Sequence, residues 1–137
     1  EVVFIGPCLA KRHEADSVDE VDYVMSFEEL GAFMVAYDID VANCSEKELN
    51  HEVTKYGRGF AQAGGVQAAV VNAIGDKYSN IHIEGLDKKN QALLKSMAKK
   101  PDAQFVEVMA CDGGCINGPC SLAPLTLAKR QIKKVLE

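Results

Sequence analysis

Cys111 and Cys115 stand four residues apart on the segment Met109-Ala110-Cys111-Asp112-Gly113-Gly114-Cys115, directly after the strand-like run Gln104-Phe105-Val106-Glu107-Val108. Gly113 and Gly114 tolerate positive φ and let the main chain approach a bulky ligand, and Asn117-Gly118-Pro119 turns the chain before Cys120. A loop of this kind is built to wrap something. Thiolates favour soft metals and iron-sulfur clusters, and closely spaced cysteines on a Gly-rich turn grip one face of such a cluster. Two cysteines do not hold a cubane alone, and the remaining candidates are Cys8, Cys44 and Cys120. Cys8 lies in Gly6-Pro7-Cys8-Leu9-Ala10-Lys11-Arg12-His13-Glu14, again directly after an apolar run, Val2-Val3-Phe4-Ile5. In an open α/β sheet ligands collect at the carboxyl ends of strands, so two cysteine loops at two strand ends are expected to converge on one site.

Together these residues resemble the catalytic domain of iron-only (di-iron) hydrogenases. That family carries a Pro-Cys-x-x-Lys motif and a Met-Ala-Cys-x-Gly-Gly-Cys motif, and Pro7-Cys8-Leu9-Ala10-Lys11 and Met109 through Cys115 match them in order. Between them, Ala63-Gly64-Gly65-Val66-Gln67-Ala68-Ala69 resembles the family's Gly-Gly-Val helix start. The resemblance covers essentially the whole chain. It implies that Cys8, Cys111 and Cys115 are metal ligands, with Cys8 and Cys111 on a 4Fe-4S cluster and Cys115 bridging that cluster to a di-iron centre, the two together forming the H-cluster. It implies further that Lys11 donates a hydrogen bond to a cyanide of the di-iron centre and that Met109 packs against the same centre. An ammonium suits that role, offering three donors to a compact anion.

The implied activity is reversible reduction of protons to hydrogen, in an anaerobic setting. Electrons would come from a ferredoxin-like carrier or fused iron-sulfur domains. Two departures shape the expectation. The family's Thr-Ser-Cys-Cys-Pro motif, which supplies a further ligand and a proton-relay cysteine, does not occur in this sequence, so the rest of the hydrogenase domain is expected upstream and this chain alone is expected to be inactive. The family's Gly-Gly-Gly-Gln tail is replaced by Gly118-Pro119-Cys120-Ser121, which resembles divergent branches and supports an alternative: a hydrogenase-related, non-catalytic iron-sulfur redox or sensory module. A structural zinc domain is a third reading, disfavoured because paired Cys-x-x-Cys halves are missing.

Other candidates draw blander readings. Lys11 and Glu14 on composition alone are solvated surface charges, and Met109 a core residue at a strand end. Cys44 is assigned to packing, while Cys120 stays open between ligand, redox thiol and helix-start residue. His13, His51 and His82 are read as surface or internally satisfied histidines.

The elements that must position these residues follow from patterning. Runs at 2–5, 21–25, 81–83 and 105–109 read as strands. Ser26-Phe27-Glu28-Glu29 is a capping box opening a helix to about Tyr37, with Leu30, Phe33, Met34 and Tyr37 apolar. Gly64-Gly65 opens a second helix over 66–74, with Gly75 to end it and main-chain N–H groups exposed at its positive end. Asp87 starts a third over 88–98, and a last runs from about Ala123. Residues 41–60 lack periodicity and read as a connecting flap. The expected class is α/β, with a mainly parallel sheet of about four strands and flanking helices, one lobe or part of an iron hydrogenase catalytic domain. Residues 1–137 are read as a single domain, part of a longer chain.

Composition bounds the rest. The 137 residues, 47% hydrophobic, suffice for a real core. A net charge of -5 argues against nucleic acid, which needs a concentrated basic face. No apolar run approaches the roughly 20 residues of a membrane span, and the cytoplasm is the default compartment. Five cysteines without a secretory signal point to reduced thiols rather than a disulfide framework.

Overall fold

The computed structural model describes residues 1–48 and 53–136. His51 and part of the expected flap lie outside the described residues. The chain divides into two compact units, one of Glu1–Glu52 with Gly118–Leu122 and the other of Val53–Asn117 with Ala123–Glu137.

In the first unit, β1 (Val3–Ile5) pairs in parallel with β2 (Tyr23–Met25), in the register Val3 to Tyr23 and Ile5 to Met25. The crossover between them carries α1 (Ala10–Ala15), which has no side-chain cap and no buried residue. It therefore leaves no cap or apolar stripe for a sequence pattern to detect. After β2, α2 (Phe27–Ala36) starts on the predicted capping box: the Ser26 hydroxyl accepts from the Glu29 N–H at 3.2 Å, and the Ser26 N–H donates to Glu29 Oε2 at 2.7 Å. Arg12 from α1 reaches both Glu29 oxygens at 2.6 Å, so one carboxylate ties α1 to the start of α2. Of the helix's apolar face, Leu30 and Met34 are half-buried, whereas Phe33 is 47% exposed and stacks on Tyr37 with ring centroids 4.6 Å apart.

In the second unit, β3 (Asn80–Glu84) pairs in parallel with β4 (Phe105–Met109), Asn80 opposite Phe105 and Glu84 opposite Met109. The connection is α5 (Lys88–Met97), capped by the Asp87 carboxylate accepting from the Asn90 N–H at 2.7 Å. α4 (Gly65–Ile74) precedes β3 and ends at Gly75 with φ 84°, the left-handed stop expected of it. The unit also holds α3 (Lys55–Arg58) and α6 (Leu125–Leu136). The class is thus α/β with parallel strands, distributed as two two-stranded sheets.

Burial is lighter than composition suggests. Among the described residues the buried apolar side chains are Ile83 and Met97, both in the second unit. Units this small bury a smaller share of their surface than a domain of full size. The described part of the flap holds more regular structure than its sequence indicates: Val41–Asn43 is a 3₁₀ turn capped by Asp40, α3 is capped by Thr54, and Gly59–Ala61 is a second 3₁₀ turn. Cys44 corrects an expectation. It is exposed rather than packed, because it ends that first turn with its thiol donating to the Asp40 carbonyl at 3.3 Å.

The Ser26 backbone N–H, followed by the Arg12 guanidinium, holds the Glu29 carboxyl below the usual glutamate pKa. A group depressed in the folded state stabilises fully above its unfolded pKa and loses that contribution as pH falls through the folded value. Arg12→Ala should therefore raise the Glu29 titration midpoint, read from its carboxyl carbon shift, and move the acid-side loss of α2 to higher pH. An unchanged midpoint would show that the guanidinium does not act on it. Ser26→Ala should cost about 0.5–2 kcal/mol at neutral pH in chemical denaturation.

Candidate metal-ligand loops and their supports

Each cysteine loop leaves the carboxyl end of a parallel strand. β1 passes through Gly6, whose N–H donates to the Met25 carbonyl at 3.0 Å, into Pro7 and half-buried Cys8. β4 passes from half-buried Met109 through Ala110 to Cys111. Cys8 belongs to the first unit and Cys111 and Cys115 to the second, so each loop is described on its own.

The loop after β4 is held from three sides. Within itself, the Gly114 N–H donates to the Cys111 carbonyl at 3.1 Å, and Asn117 Nδ2 donates to the Asp112 carbonyl at 2.9 Å. From β3, Glu84 Oε2 accepts the Gly113 N–H at 2.7 Å. From the segment before α4, the Ala63 N–H donates to the Gly113 carbonyl at 3.2 Å. Gly113 and Gly114 both have positive φ, 82° and 87°, and both are buried. A Cβ on Gly114 would fall 2.5 Å from the Ala63 nitrogen, which is backbone and cannot yield, so the loop fits only as glycine.

The segment opposite is fixed by a second carboxylate. Glu107, 5% exposed in the middle of β4, accepts the Gly64 N–H at 3.2 Å and the Gln67 N–H at 2.9 Å. The positive start of α4, which the sequence marks as an anion site, is thus filled by the protein's own side chain. Gln67 extends the contact: its amide meets the Asn80 side-chain oxygen and lies 3.0 Å from His82 Nδ1. His82 is exposed and internally partnered, as expected. Beside this arrangement a cavity of about 350 Å³ is lined by Gln62, His82, Glu84, Gly113 and Lys129, among others.

Around Cys8, Lys11 is bound rather than loose in solvent. Its Nζ donates to both Glu14 oxygens at 2.6 and 2.7 Å and lies 5.8 Å from the Phe4 ring centre. A pair this exposed contributes no more than about 0.3–0.5 kcal/mol on a helix. A stronger acceptor would take the ammonium from Glu14 at small cost. His13 is exposed, 3.8 Å from Asp16.

Among the described residues no three His, Cys, Asp or Glu side chains are gathered as a metal-binding group. The donor chemistry nevertheless fits an iron-sulfur cluster in part. Cys8, Cys111 and Cys115 are half-buried thiols outside any disulfide, and the Gly113–Gly114 turn carries no side chain to obstruct one. Three thiolates are one short of a cubane's four ligands.

Glu84 and Glu107 are the residues that motif reading overlooks. Glu107 shares the strand face of Phe105 and Met109, and a carboxylate on that apolar face was the available signal; Glu84 gave none. Glu107→Ala should leave two main-chain donors at the start of α4 without an acceptor, costing about 1–3 kcal/mol. Hydrogen exchange should accelerate at Gly64 and Gln67, and Glu107→Gln should restore part of the protection. Unchanged exchange at both amides would remove Glu107 from this role.

The iron-only hydrogenase large subunit, C-terminal domain family matches residues 1–85 and 67–119, which include both cysteine loops and the Gly64–Gly65 turn. Iron hydrogenase 1 of Clostridium pasteurianum is 36% identical over 73 residues, covering 52% of this chain and 13% of that protein. Two solved structures share the fold. One, described by stepwise FeFe-hydrogenase H-cluster assembly, has a TM-score of 0.59 at 16% identity and is matched over 95% of this chain and 51% of its own. The other, described by oxygen inactivation of FeFe-hydrogenase through damage to the H cluster 2Fe subcluster, has a TM-score of 0.63 at 17% identity, with 98% and 52% covered. This chain therefore spans about half of each solved chain and a small part of the curated relative. With the family matched across most of its length, the chain belongs to the iron-only hydrogenase large subunit, C-terminal domain family.

Proposed function

We propose that the chain is one part of an iron-only hydrogenase catalytic domain, its two units belonging to a single such domain completed by further sequence upstream. The observation that carries this reading is the loop after β4: two cysteines flank a left-handed Gly113–Gly114 turn strapped to β3 and to the segment before α4, inside the stretch the family matches. Cys8, Cys111 and Cys115 would hold a 4Fe-4S cluster and, through Cys115, a di-iron centre. When bound, that H-cluster supplies reversible reduction of protons to hydrogen, with electrons from a ferredoxin-like carrier or fused iron-sulfur domains.

The chain's own contribution is ligation and positioning. Cys115 would supply a thiolate to the cluster, which an alcohol at neutral pH would not replace. Lys11, weakly tied to Glu14, would offer its ammonium to an anionic ligand of the di-iron centre. Met109, at the end of β4, would cover that centre with a polarizable apolar side chain. No helix among the described residues is long and apolar enough to cross a membrane, and the reading places the protein in an anaerobic cytoplasm.

The alternative, a hydrogenase-related iron-sulfur redox or sensory module without catalysis, is favoured by one observation. Where the family has a glycine-rich tail this chain has Gly118-Pro119-Cys120-Ser121, with Cys120 set on the loop before Cys8 through its amide.

In matured protein carrying this segment, Cys115→Ser should abolish the carbon monoxide and cyanide infrared bands of the di-iron centre. Lys11→Ala should weaken retention of that centre by about 10–100-fold while leaving the cubane's electron paramagnetic resonance signal. Normal infrared bands in Cys115→Ser would refute the bridging role. A cubane signal in wild type without those bands would favour the redox or sensory module. Residues 1–137 alone should evolve no hydrogen from reduced viologen, because proton delivery needs a positioned acid, and the family's relay cysteine has no match here; turnover by the chain alone would show that the upstream motif is dispensable.

A further inference from the structure

Cys8 and Cys120 are separated by most of the chain, yet the first unit joins their backbones: the Cys120 N–H donates to the carbonyl of Pro7, the residue before Cys8, at 3.1 Å. In an antiparallel ladder, residues paired through such bonds have Cα atoms about 5.5 Å apart, and Cys8 is the residue next to this bond. Disulfides span Cα separations of about 4.4–6.8 Å. Both thiols are half-buried, unlike exposed Cys44. Each also follows a proline, Pro7 and Pro119, whose ring fixes φ and stiffens the backbone presenting the sulfur.

We propose that Cys8 and Cys120 are a thiol pair that a small-molecule disulfide closes to an intrachain disulfide in the cluster-free protein. The thiolate of one attacks a disulfide such as oxidised glutathione, forming a mixed disulfide and releasing one glutathione thiolate. The second cysteine's thiolate then attacks the protein sulfur of that bond, forming Cys8–Cys120 and releasing the other glutathione. Two protein thiols lose two protons and two electrons, and glutathione disulfide is reduced to two thiols. Resting on the cluster reading of Cys8, the consequence is a gate: the oxidised pair withholds one cluster ligand until a dithiol reduces it.

The test exposes anaerobically purified, cluster-free protein to oxidised glutathione, alkylates the remaining thiols in denaturant and maps peptides by mass spectrometry. Two titratable thiols should disappear per chain, with a Cys8–Cys120 cross-linked peptide two hydrogens lighter than its reduced parts. The cross-link should vanish in Cys8→Ser and in Cys120→Ser and persist in Cys44→Ser. Recovery of Cys8 and Cys120 as alkylated or glutathione-capped residues, in protein with unchanged circular dichroism, overturns the pair. Reconstitution with iron and sulfide, read as iron content, separates the two claims. Oxidised wild type should take up several-fold less iron than reduced, with dithiothreitol restoring uptake and Cys120→Ser indifferent to glutathione. A cross-link with equal uptake in both states overturns the gate. A cross-link in protein that takes up no iron even when reduced keeps the pair and removes the cluster reading; normal uptake with no cross-link does the reverse.

Discussion

The second unit depends on one electrostatic contact: the Glu107 carboxylate set against the positive start of α4. A carboxylate this buried is costly unless its oxygens are hydrogen-bonded, and here each takes a main-chain N–H from the turn that opens the helix. The bond fixes Gly64, which places Ala63, whose N–H holds the Gly113 carbonyl. Glu84 takes the N–H of the same glycine. β3 and β4, in parallel register, thus deliver one carboxylate each to the supports of the cysteine loop, in addition to the bonds the loop makes within itself.

The parts that could be read from sequence are those whose signals are local. The Ser26–Glu29 box, the Asp87 cap, the Gly75 stop and the β4 run each lie within a few residues of the structure they specify, and all four appear as expected. α1 and α3 were invisible because neither is long enough to show a period, and α1 has no cap. Strand pairing is non-local, so the distribution of four parallel strands into two sheets left no trace in the pattern. For the site, cysteine spacing and the paired glycines were readable. Of the supports, Glu107 left a trace as a carboxylate on the apolar face of β4, whereas Glu84 left none because its partner, the Gly113 N–H, is distant in sequence.

The first unit has a different balance. Charge outweighs burial there, with Arg12 tying α1 to Glu29 of α2 and Lys11 meeting Glu14 within α1, while Val3, Ile5, Leu9 and Phe33 stay exposed. Surface pairs contribute little, so α1 is held loosely enough for Lys11 to change partner. In the second unit a strapped loop fixes cysteine positions; in the first, a weakly paired lysine leaves its charge available.

The return of residues Gly118–Leu122 to the first unit has a bearing on synthesis. The chain builds most of one unit, passes through nearly all of the second, comes back to the Pro7 carbonyl at Cys120, and leaves again for α6. At ribosomal speeds of about 5–20 residues per second, Cys120 emerges roughly 6–23 s after Pro7. The first unit therefore waits, with its last contact missing, while the second is translated. Contacts of such long sequence separation form slowly, so the first unit closes only after most of the second has been made.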